Sequence, residues 1–92
     1  MRRYFVETFV PQSAAGGCAA REFRVRSVTG DLRRQGLRVR FDRAIPEPGS
    51  ELCVFVFEAE SRDEAALAAE LAQLDAFRIS EVTPALSGPE PG

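Results

Sequence analysis

Ninety-two residues with 12 arginines, no lysine, 14 acidic side chains and a formal charge of −2 fit one domain with one small core. A hydrophobic share of 45% and a charged share of 28% are ordinary globular values, which argues against disorder, and no apolar run approaches the ~20 residues of a membrane span. The absence of His removes Ser–His and Cys–His nucleophile pairs, His general bases and His-ligated metal sites together.

Residues 2–10 form a compact β-branched and aromatic run stopped by Pro11, which predicts a strand. The opening Met1-Arg2-Arg3 leads straight into it, so it is expected to be structure rather than a secretory leader, and a cytoplasmic protein is expected. Over residues 13–36, Cys18, Val25, Val28 and Leu32 share one helical stripe, with Ser13 as cap and Gly36 as terminator. Glu22 to Ser27 alternates with period two and Gly30 interrupts the pattern, but helix is the reading taken. Residues 37–45 alternate apolar and polar as a half-buried strand should, and Pro46 to Ser50 is turn chemistry throughout. Residues 51–59 make the strongest strand, apolar on both faces.

Ser61 to Glu64 reads as a capping box, with Glu64 reaching back to the Ser61 amide. The helix it opens runs to Leu74, with Leu67, Leu71 and Leu74 expected on its buried stripe. Residues 76–83 alternate again up to Pro84, and residues 85–92 are expected to be a flexible C-terminal tail beyond a single domain of residues 1–84.

The order β-α-β-β-α-β predicts a ferredoxin-like α+β fold, a four-stranded antiparallel sheet with two helices on one face. In that topology the first and third strands are central, and they are the two that are apolar on both faces. One sheet face is covered by helices, so the other is expected to be covered by a second copy, giving a sheet-paired homodimer.

Charge is unevenly placed: residues 1–43 hold 10 Arg and 4 acids, and residues 44–92 hold 2 Arg and 10 acids. The arginines between Arg21 and Arg43 admit a nucleic-acid patch, but a net-acidic chain repels phosphate at long range. Complementary faces meeting within the fold or across a dimer are expected instead, with no nucleic-acid and no membrane partner. Two cysteines do not make a disulfide framework, so Cys18 and Cys53 are expected to be reduced thiols on elements that do not converge.

Short strings in this order resemble a known family. Tyr4-Phe5-Val6-Glu7, Gly36 before a Val-Arg strand, Cys53 leading into Phe57-Glu58-Ala59, Ser61 opening a helix, and Ile79-Ser80-Glu81-Val82 are similar to a small bacterial family. It is a domain-of-unknown-function family that includes an actinomycete nickel-binding protein, and the similarity spans roughly residues 3–83. The resemblance implies a ferredoxin-like subunit paired through its sheet as in dimeric α/β-barrel proteins, and a divalent-metal-binding accessory role. Many members of that family carry a His in the second helix, whereas this helix is Ala-rich without one. No metal ligand is therefore assigned, tight nickel or zinc binding is expected to be absent, and no cofactor is expected.

Glu7 shares a strand face with Phe5 and Phe9, where a carboxylate loses hydration and needs an arginine, a ligand or a proton. It is the one candidate catalytic residue. Tyr4, Glu7, Arg40, Glu58 and Arg78 are the ligand-binding candidates, with Arg40 and Arg78 also the expected structural partners of the two carboxylates. The leading expectation is a small-ligand-binding domain with a pocket between sheet and helices. Its carboxylate could serve as base in cyclase- or isomerase-like chemistry, although enzymatic activity itself is left open. A metal-binding accessory protein and a non-catalytic structural or regulatory dimer are the alternatives.

Overall fold

The computed structural model describes residues 1–11 and 17–82. The elements follow in the order β1 (Arg2–Phe9), α1 (Gly17–Arg34), β2 (Arg40–Pro46), β3 (Leu52–Ala59), α2 (Arg62–Leu71) and β4 (Arg78–Val82). The strands form one sheet in the order β2-β3-β1-β4, every neighbouring pair antiparallel, which is the expected ferredoxin-like α+β topology. The expected Ser13 cap and the tail at 85–92 lie outside the described residues.

Alternation along β1 sends Tyr4, Val6 and Thr8 to the helix side and Arg3, Phe5, Glu7 and Phe9 to the other. The register matches Tyr4 with Phe57, Val6 with Phe55 and Thr8 with Cys53, so these rows form the core floor. Val25 and Leu32 of α1 and Ala65, Ala68 and Ala69 of α2 close over it. The Thr8 hydroxyl satisfies itself in this dry layer by donating to the Leu74 carbonyl at 2.6 Å.

Both helices stop by the same backbone device. The Leu37 and Gly36 amides donate to the Leu32 and Arg33 carbonyls, with Gly36 at φ +102°. At the end of α2 the Leu74 and Gln73 amides donate to Ala69 and Glu70, with Gln73 at φ +59°. Arg24 of α1 also donates to the Ala72 and Gln73 carbonyls, so a cation sits where the α2 dipole is negative.

Three expectations need correction. The buried stripe of α2 is alanine, not leucine: Leu67 and Leu71 are 38% and 52% exposed, and only Leu74, beyond the helix, is buried. Tyr4, Phe55 and Phe57 already fill the space above the sheet, so the helix facing them must present small side chains to come close. Ser61 caps α2 as expected, accepting from the Glu64 amide at 3.3 Å, but Glu64 reaches back to the Glu60 amide, one residue earlier.

The third correction concerns Cys18 and Cys53, which are joined as a disulfide with their Cα atoms 6.8 Å apart. Thr8, near the end of β1, pairs with Cys53, near the start of β3. The chain then returns across the sheet as α1, whose second residue is Cys18. The antiparallel crossover therefore brings the two together, at a Cα spacing a disulfide can bridge.

Candidate functional site

Among the described residues no helix covers the face of the sheet opposite α1 and α2, although Val56 within it is itself buried. Its central rows pair Phe5 with Val56, Glu7 with Val54 and Phe9 with Leu52. Ile45 of β2 lies opposite Val54, and Phe77 stacks on Phe9 with ring centroids 4.7 Å apart. Phe9, Phe77 and Ile45 are 59%, 49% and 41% exposed. An antiparallel sheet that simply faced water would place polar side chains here.

Polar side chains interrupt the apolar rows: Arg43 opposite Val56, Ser80 opposite Phe5, and two charged clusters. Glu7 is directly opposite Arg78 of β4, with Oε2 4.0 Å from Nε, and their side chains are 22% and 66% exposed. At the other end, Arg3 bridges two carboxylates, Asp42 at 2.8 Å and Glu58 at 2.9 Å. A register irregularity between Phe41 and Arg43 leaves Asp42 out of the ladder, where its carboxylate meets Arg3 from the neighbouring side of β3. The Arg3 hydrogen bond holds the Asp42 carboxyl below the usual range, and the same bond raises the Arg3 guanidinium above its ordinary value.

The structure thus separates the candidate residues. Tyr4, 1% exposed, belongs to the core on the helix side, and Glu7 to the open side, so one pocket cannot hold both. Glu58 pairs with Arg3, at the start of β1 and directly opposite it in the β1–β3 register, rather than with Arg40. Arg40 lies opposite Glu58 in register but lines a groove with other arginines. Arg78 is the one expected partner that meets its carboxylate.

A recess of about 610 Å³ does exist on the helix side, but it is lined by Arg21, Ala66, Ala69, Glu70, Gln73, Asp75, Ala76 and Ile79, without Tyr4 or Glu7. Among the described residues the buried Arg21 Nε there has no hydrogen-bond partner. A second groove, about 650 Å³, runs between the end of α1 and the start of β2 and is lined by Met1, Gly30, Arg33, Arg34, Leu37, Arg38 and Arg40.

Among the described residues no three His, Cys, Asp or Glu side chains stand together as metal ligands, and no helix is long and apolar enough to cross a membrane. Compared with models of known protein families, with curated proteins and with solved structures, the chain matches none.

Proposed function

We propose that the protein is a small-ligand-binding homodimer in which two open sheet faces meet and enclose a polar ligand against Glu7. The observation that carries this reading is Glu7 itself: a carboxylate set between Phe5 and Phe9, whose one charged contact among the described residues is a long one to an exposed arginine. An apolar face of this extent on so small a chain is better explained by a second copy than by water.

Pairing two such faces would withdraw Phe5, Val54 and Ile45 from water and bring Glu7 and Arg78 into a drier setting at one end of the face, with Arg3, Asp42 and Glu58 at the other. A carboxylate and a guanidinium side by side accept and donate to one small polar molecule, and dehydration strengthens both contacts. In such a setting the same carboxylate would take a proton from an activated carbon acid, the cyclase- or isomerase-like chemistry expected from the sequence.

Native mass spectrometry of freshly isolated protein tests the reading. A dimer carrying a bound mass that disappears in Glu7→Gln supports it. A dimer whose bound mass survives that substitution removes Glu7 from the site.

A further inference from the structure

We propose that the groove between α1 and β2 is an anion site for a small phosphorylated molecule, separate from the open sheet face. Four arginines, Arg33, Arg34, Arg38 and Arg40, line it around an apolar wall made by Leu37. A smaller recess beside it shares Gly30, Arg33 and Arg40 and adds Arg26 and Phe41, with the Arg26 guanidinium 4.8 Å from the Phe41 ring centre.

Neighbouring carboxylates do not balance this cluster. Arg34 pairs with Asp31, and Arg38 lies 3.7 Å from Glu60, both in exposed positions. Among the described residues Arg33 and Arg40, which line both recesses, have no carboxylate partner, because Glu58 opposite Arg40 is held by Arg3. The negative end of the α1 dipole accounts for Arg33 and Arg34 in its last turn, but not for Arg38 and Arg40 arriving from the following segment. Arginine forks match phosphoryl oxygens in pairs, so several arginines lining one groove suit a phosphoryl group. The groove, about 650 Å³ and open to solvent, has room for a small phosphorylated molecule.

Gly30 is a second, independent sign. It lies inside α1, where glycine weakens a helix relative to alanine, and packing does not require it. A Cβ there would meet only Arg34 Nη1, at an ordinary 3.8 Å. Gly30 instead lines both recesses, so a side chain there would stand in the space beside the arginines. The fold would gain from Ala; the recesses would lose room.

Calorimetric titration of the full chain with inorganic pyrophosphate at low salt tests the assignment. Saturable binding of one pyrophosphate per chain is expected. Arg33→Ala and Arg40→Ala, both at exposed positions, should each weaken it about tenfold or more, the factor of one charge-assisted hydrogen bond. Arg62→Ala, outside the groove, should leave it unchanged, and Gly30→Ala should raise the melting temperature while weakening pyrophosphate. No saturation at millimolar pyrophosphate overturns the proposal, as does affinity indifferent to Arg33→Ala, Arg40→Ala and Gly30→Ala. A single-stranded RNA oligonucleotide that binds more tightly than pyrophosphate, through the same arginines, overturns it in favour of a nucleic-acid backbone.

Discussion

Glu7 and Arg78 stand directly opposite one another across the β1–β4 pair, yet their charged atoms are 4.0 Å apart and the arginine is two-thirds exposed. Such a pair contributes little to stability, about 0–1 kcal/mol, because water screens the arginine. Glu7→Gln should therefore shift unfolding free energy by less than about 1 kcal/mol in chemical denaturation. A loss of several kcal/mol would mean that Glu7 is a structural ion-pair partner and not a ligand group.

Adjacent residues of β3 should respond in opposite ways. Val54 faces the open side and Phe55, fully buried, faces the helices. Val54→Asp should leave a folded chain with native circular dichroism that no longer self-associates. Phe55→Asp should cost more than about 4 kcal/mol and unfold the domain, since it places an unpaired charge in the core. Equal effects from the two would contradict the assignment of the faces.

The element order, the central strands and the terminator Gly36 were all legible from alternation, turn residues and helix stops. What escaped was whatever depends on how elements lie on one another. The leucines of α2 were read as its buried stripe because periodicity records hydrophobicity, not available volume; the aromatic rows of β1 and β3 left room only for alanine. Cys18 and Cys53 are 35 residues apart in sequence, and only the crossover of α1 above the Thr8–Cys53 pair joins them. Glu7 was correctly placed beside Phe5 and Phe9, but alternation within one strand already put Tyr4 on the opposite face, so the joint pocket was never available.

The disulfide should carry a measurable part of the stability. Closing a separation of 35 residues reduces the entropy of the unfolded chain, which in the chain-entropy model is worth about 3–4 kcal/mol. Reduction with a phosphine, or the double substitution Cys18→Ala and Cys53→Ala, should lower the denaturation midpoint accordingly. Superimposable oxidised and reduced unfolding curves would show that the bond does not constrain the domain.

Arg3 should impose an acid limb on stability through Asp42. The folded state holds this carboxyl lower than the unfolded chain does, so the stabilisation is fully present above the unfolded value, about 3.9. It is lost as the pH falls through the lower folded value. The stability gap between wild type and Asp42→Asn should be constant from about pH 5 upward and close in stronger acid, with added salt shrinking it throughout. A gap that widens as the pH falls would contradict the pairing.

Sedimentation velocity at tens of micromolar protein tests the sheet-paired dimer most directly. A single species of twice the chain mass is expected for the wild type, converting to one of chain mass in Val54→Asp with secondary structure intact. A wild-type protein that sediments as a monomer at that concentration contradicts the pairing of the open faces, and with it the enclosed site at Glu7.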